Sequence, residues 1–398
     1  MAARTPSLVF PDTPPRQAPA FLEMGFRPFF LLAGVFGALA VPLWLLALRG
    51  GVTPGGKFGP MQWHAHEMIF GFTTAVIAGF LLTAIGRWTN RDTVRGAPLA
   101  ALAALWLAGR LVLYFAEGLP PAVPAVIDLA FLPALGVACA RPVLAAKNRR
   151  NYGFLGMLAL LGAANFAAHF GALEGRLALV RSAHVFALNV VGLMMVVMTG
   201  RIVPMFTRNA TGQDFIRGIP WLERACAAGF VALLSFDVVP VGASVVAVVS
   251  AVVSLLLVLR MRYWGTMHTG RDPLLWILHV GVLWLPLALL FRALGLFGQP
   301  VPGAAAMHAL TAGAIGSLTL GMMARVSLGH SGRRLVAPRS MLWAFIAVVA
   351  AGIARVAAAF LPSALYLHAL EVSALFWSLA FGVFGVTYYR VLTSPRAA

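Results

Sequence analysis

The chain has 398 residues, of which 61% are hydrophobic and 11% charged, with a mean hydropathy of +0.88. Soluble domains carry roughly 45–50% apolar residues, so this composition excludes a soluble globular protein and defines a polytopic membrane protein. The net charge of +18 comes from basic residues scattered between apolar stretches, never in a run, which excludes a nucleic-acid-binding surface.

Residues 1–25 are polar and proline-rich, without the apolar core and small-residue cleavage site of a signal peptide, and read as a cytoplasmic tail. Apolar segments long enough to span a bilayer, at roughly 20 residues each, then follow at 26–48, 63–86, 98–116, 121–143, 153–172, 178–200, 221–239, 242–261, 273–296, 303–326, 340–362 and 363–390. The expected fold is an all-α polytopic membrane protein of twelve transmembrane helices. Its membrane domain covers 26–391, and residues 392–398 form a second cytoplasmic tail. Basic residues accumulate in cytoplasmic loops. With both termini inside, the loops and tails place 23 Lys and Arg inside and four (Arg49, Lys57, Arg176 and Arg292) outside, while Arg110, Arg181 and Arg355 lie at membrane depth. The location implied is a membrane crossed many times, and the family resemblance given below implies a bacterial inner membrane.

Only Cys139 and Cys226 are present, without a CxxC or CxxCH neighbour, which argues against disulfide frameworks, covalent haem attachment and iron–sulfur clusters. A metal in this chain is therefore held mainly by histidine. With the expected orientation, His64, His66, His169, His184, His308 and His368 all fall in the outer third of the membrane. His268 and His330 fall in inner loops. His279 lies about six residues into the ninth helix from inside, roughly 25 Å from its outer end at 1.5 Å per residue, and marks a second, inner site unless that helix is displaced. Helices two, six and ten each begin with a histidine and end at an arginine: His66 with Arg87, His184 with Arg201, His308 with Arg325. Gly192 and Met198 match Gly316 and Met322 at equal offsets, which hints at a threefold quasi-repeat of four-helix units.

Trp63-His64-Ala65-His66-Glu67-Met68 is the densest motif. Ionisable side chains at membrane depth usually serve a site. Residues two apart on a helix point about 200° apart, so His64 and His66 serve different partners. His64 shares a face with Glu67, which would orient its imidazole, leaving His66 to face the interior as a ligand, or the roles are reversed. The plain alternative is interfacial histidines bonded to water or headgroups. His308 heads a run of small residues that admits a close neighbour or a flat cofactor, and His184 is a further ligand candidate. Arg110 and Arg181 suit haem propionates, or else form ion pairs with Asp128 or Glu174. His169, with Asn165 one turn back, and His368, with Glu371 one turn on, read better as hydrogen-bonded histidines. Imidazole suits haem iron, copper and zinc alike.

These motifs make the chain similar to the NnrS family, inner-membrane proteins of nitric-oxide response described as containing haem and copper. The resemblance rests on Gly25-Phe26-Arg27-Pro28-Phe29-Phe30, the Trp63–Met68 motif, Ala78–Ala84, Gly200-Arg201 with Pro204, Leu278-His279, His308-Ala309-Leu310-Thr311 and Arg325–Arg333. Ser331 stands where the family usually has Thr, and Val282 near a position often aromatic. The resemblance implies haem b and copper as cofactors, and it raises His279 and His330 as functional positions. Histidines on helices two, six and ten also resemble haem–copper oxidases. The adjacent His-His and the His-x-His pairs of those enzymes are missing, which puts a complete binuclear centre in doubt.

The expected function is a membrane haem protein, with copper as second metal, that binds or responds to nitric oxide and contributes to nitrosative-stress tolerance. His64, His66, His184, His279 and His308 are its candidate ligands, with Glu67, Arg110 and Arg181 as supporting residues. Redox turnover of nitric oxide would need a quinol or protein electron donor, because the chain contains no soluble electron-transfer domain. Competing readings are a transporter of metal, haem or small anions, and a non-catalytic assembly factor for metalloproteins.

Overall fold

The computed structural model describes residues 19–51, 54 and 56–397, so residues 1–18 of the expected tail lie outside the described residues. The described residues are all-helical, with no strand among them. In chain order the rods are α1 (Phe26–Leu48), α2 (Gly56–Thr89), α3 (Ala97–Tyr114), α4 (Ala122–Ala145), α5 (Arg149–Leu173) and α6 (Leu177–Thr211). They continue as α7 (Pro220–Phe236), α8 (Ala243–Tyr263), α9 (Pro273–Leu296), α10 (Gly303–His330), α11 (Arg339–Ala358) and α12 (Ser363–Thr393). Eleven are long and apolar enough to cross a bilayer, while α7 has 17 residues. Asp237 and the Val-Val-Pro-Val-Gly sequence after it stop α7 three residues before its expected end.

Of the helices that run past their sequence-based limits, three carry a residue of interest with the extension. Pro60 at the first turn of α2 starts that helix before Trp63, so His64 and His66 sit inside the helix rather than at its mouth. α6 passes through Pro204 and ends only at Gly212, whose φ of +68° suits glycine. α10 continues to His330 and breaks at Ser331-Gly332, where Gly332 has φ +73°. His330 thus closes a helix and is not the loop residue its Gly-rich surroundings suggest.

α1 packs against α12 and α2, and α11 against α12; α5 lies along α6, α8 along α9, and α9 along α10. α2 and α10 are the most buried spans. Each contains a seven-residue π-helical segment immediately after a histidine: Glu67–Thr73 follows His66, and Ala309–Ile315 follows His308. A π turn widens the helix and disturbs the regular backbone bonding, and such turns gather at functional positions. In α2 the Trp106 indole of α3 donates to the Gly71 carbonyl at 3.0 Å, and the Thr73 hydroxyl donates to Met68 O at 2.8 Å. In α10 the widened segment brings Gly313 against Gly352 of α11, with 3.1 Å from a Cβ built on Gly352 to the Gly313 Cα.

Candidate metal centre

Five helices send polar side chains to one buried point near the start of α2. His66 and Glu67 come from α2, Arg110 from α3, Asp128 from α4, Asn165 and His169 from α5, and His184 from α6; every one is buried. Arg110 Nη1 donates to Glu67 Oε1 at 2.8 Å, and its Nη2 donates to Asp128 Oδ1. The other Asp128 oxygen, Oδ2, accepts from Asn165 Nδ2 at 2.8 Å and lies 2.9 Å from His169 Nε2 and 3.3 Å from His66 Nε2. Gly71 lets this happen: a Cβ there would stand 2.8 Å from Arg110 Nη1 and 3.0 Å from Glu67 Oε2.

The two faces of the His66 ring edge decide its chemistry. Nδ1 lies 3.2 Å from Glu67 Oε1, and Nε2 lies 2.9 Å from Asn165 Oδ1. Asn165 holds that orientation because its amide nitrogen is already donating to Asp128. With oxygens on both sides, the ring carries a proton on each nitrogen, or a cation takes the place of the Nε2 proton. In the protonated form, His66 and Arg110 balance the carboxylates of Glu67 and Asp128. Such compensation is what a charged cluster removed from water requires.

One donor atom each from His66, Asp128 and His169 lies within 4.8 Å of the others, an arrangement able to hold a metal ion. Two imidazoles and a carboxylate suit zinc, copper and non-haem iron. His184 stands beside them, its ring centroid 6.2 Å from that of His66, and neither of its nitrogens has a hydrogen-bond partner. An unpartnered buried imidazole is costly unless something binds it. The Phe58 ring covers the group, 4.8 Å from His66 and 5.0 Å from His169 by centroid. Phe58 and His169 also line a cavity of 290 Å³, together with Lys57, Leu113, Ala116 and Pro121.

Glu67 pairs with His66 and Arg110, correcting the expectation that it orients His64. The π segment beginning at Glu67 removes the regular three-residue offset on which that expectation stood. Arg110 is engaged by two carboxylates, the ion-pair alternative rather than the propionate one, and Arg181 is exposed. His169, read as merely hydrogen-bonded, borders the metal-sized gap. Asp128, read only as an ion-pair partner, is at its centre. Its signal in the sequence was a carboxylate inside an apolar segment.

His64 faces a different neighbourhood. Its ring stacks on Trp44 of α1 at 4.1 Å and 19°, and its Nδ1 is buried without a partner. His308 of α10 and Arg355 of α11 act on it electrostatically. His308 donates from Nδ1 to the Ala304 carbonyl at 2.7 Å, which leaves Nε2 as a lone pair. The two histidines of the α2 motif thus serve two separate groups. His279 joins neither: Thr207 Oγ1 lies 2.9 Å from its Nε2, and Thr266 Oγ1 lies 2.9 Å from its Nδ1. Since the Thr207 hydroxyl donates to Val203 O, it accepts from His279 Nε2–H, and Thr266 donates to Nδ1. That ring bridges α6, α9 and the turn before α9 with both nitrogens occupied.

Fold and site define a multi-pass helical membrane protein built around a buried His–carboxylate–Arg centre. The chain belongs to the NnrS family: the family model, described as NnrS protein, matches residues 20–396. No curated protein matches the chain.

Proposed function

We propose that this chain is a twelve-crossing metalloprotein of a bacterial inner membrane that binds nitric oxide and contributes to nitrosative-stress tolerance, with its metal ion held by His66, His169 and Asp128. The observation that carries this reading is the convergence of those three donors, beside an unpartnered His184, in a site where Arg110 bridges the carboxylates of Glu67 and Asp128. Residues 220–236, which pack against α6 and α8, form the remaining crossing, since roughly 17 residues are enough for a thin span.

Copper, the ion the family resemblance implies, fits this donor set. Bound there, it would supply a binding position for nitric oxide and a one-electron couple. Glu67 holds the His66 ring through Nδ1 and so presents Nε2 toward the ion. Arg110 ties Glu67 to Asp128 and fixes the distance between the two sides of the site. Phe58 covers the His66 ring and, with His169, forms part of the wall of the neighbouring cavity.

For haem b, His308 is the residue best suited to iron, because its Nδ1–H is engaged by a carbonyl and its Nε2 is free to bind. The nearby apolar cavity between α2, α6 and α10 has no histidine in its wall. Turnover of nitric oxide, as distinct from binding, draws electrons from a quinol or a protein partner.

Metal analysis, an optical spectrum and a nitric-oxide titration of detergent-purified protein test the reading together. The expected result is a bound metal lost in His66→Ala and His169→Ala, and a haem band lost in His308→Ala. Protein that carries neither metal nor haem after expression with ample supplies of both would refute it.

A further inference from the structure

Beyond the metal centre, the group around His64 contains a cation without a counter-charge. Arg355 lies three residues from the end of α11, and its side chain interacts with Tyr366 of α12. Among the described residues no carboxylate pairs with it, and Nη1 is buried without a partner. The carboxylate that follows on α12, Glu371, is taken by Arg49. Arg110 and Arg260, by contrast, each have an acidic partner.

Two other buried polar atoms of this group lack partners. Trp44 is 4% exposed and its Nε1–H is buried without an acceptor, and His64 Nδ1 has no partner either. Trp44 stacks on His64, shares an apolar cluster with Ala358, and has Tyr366 packed against that cluster. Arg355 acts electrostatically on both His64 and His308. Side chains from α1, α2, α10, α11 and α12 therefore meet in one place where the Arg355 guanidinium and the Trp44 indole are unpartnered donors and no described carboxylate pairs with the arginine. A guanidinium is shaped to take a planar carboxylate through two parallel bonds, and an indole N–H in a buried wall takes an oxygen.

We infer that Arg355, with Trp44 and His64, forms a binding site for a carboxylate-sized oxyanion. Two sources offer that chemistry: a small soluble anion, or the carboxylate arm of a group held at His308. Only the second source rests on the reading given above for His308. A lone arginine reaching for lipid headgroups is the competing explanation. It accounts for the charge but leaves the Trp44 indole without an acceptor.

Arg355→Gln and Arg355→Lys in purified protein separate these cases, read by thermal midpoint against formate and nitrite and by the spectrum and reduction potential of any bound haem. Metal content of the His66 centre, measured in the same samples, shows that the variants are folded and tests the proposed metal function separately. A rise in midpoint with formate or nitrite in the native chain, weakened about tenfold or more in Arg355→Gln, identifies a soluble anion. No response to either anion, with haem lost or its potential shifted in Arg355→Gln and restored in part by Arg355→Lys, identifies a carboxylate arm. Unchanged behaviour of Arg355→Gln in all these measurements overturns the inference. So does stabilisation of native protein by phosphatidylglycerol alone, with formate, nitrite and haem retention all indifferent to residue 355.

Discussion

Asp128→Asn keeps the shape of the central residue and removes its charge, and the consequences follow from its four contacts. Oδ1 accepts from Arg110; Oδ2 accepts from Asn165 at 2.8 Å and faces His169 at 2.9 Å and His66 at 3.3 Å. An amide has one acceptor oxygen. If it serves Arg110, the new NH₂ group points at the Asn165 amide and two imidazoles; if it serves them, the NH₂ group points at the guanidinium. One side or the other is lost. Hydrogen bonds to charged groups contribute about 1.5–3 kcal/mol each, and breaking a buried ion pair costs about 3–5 kcal/mol. Arg110 retains Glu67 at 2.8 Å, so the lower end, about 3 kcal/mol, is expected for stability. Metal affinity loses an anionic ligand and should fall by about 100-fold or more, above the 10–100-fold typical when only an orienting partner is removed. Denaturation in detergent measures the first quantity, and competition with a chelator of known affinity the second. Asp128→Asn protein that binds metal as tightly as the native chain would refute the role assigned to this carboxylate.

Gly71→Ala places a methyl group 2.8 Å from Arg110 Nη1 and 2.9 Å from a Phe36 ring carbon; a loss of about 1–3 kcal/mol with reduced metal content is expected by calorimetry and elemental analysis. Thr207→Val removes the acceptor of His279 Nε2–H and should cost about 1–3 kcal/mol while leaving metal content unchanged; loss of metal in this variant would mean that His279 is a ligand after all. Phe58→Ala opens the wall between the 290 Å³ cavity and the imidazoles, so a hydrophilic chelator should strip the metal faster without a matching change in affinity, as followed by stopped-flow absorbance. Added copper or zinc should raise the thermal midpoint of metal-free protein, since a ligand of the native state stabilises it by mass action, and His66→Ala should abolish the rise.

Much of the helical pattern was legible because roughly twenty-residue apolar runs separated by basic loops leave few alternatives. The limits that moved did so for local reasons: Pro60 opens α2 early, Pro204 is tolerated within α6, and Asp237 closes α7. Within the candidate centre, the split between His64 and His66 could be read from helical geometry alone. The partner of Glu67 could not, because no residue pattern announces the π segment that begins there. Asp128, Asn165 and His169 were visible as polar residues in apolar segments. Their meeting with α2 depends on how α4 and α5 pack, which residue spacing along the chain does not encode. His279 illustrates the reverse case: a motif histidine at membrane depth reads as a ligand, while in the structure Thr207 and Thr266 occupy both its nitrogens.

X-ray absorption at the metal edge of native protein and of His169→Ala, with metal counted per chain, tests the central claim most directly. The account predicts one ion outside any haem, bound by imidazole nitrogen and carboxylate oxygen, with one imidazole fewer or the ion gone in the variant. A native protein without that ion, or a coordination shell unchanged when His169 is removed, would contradict it.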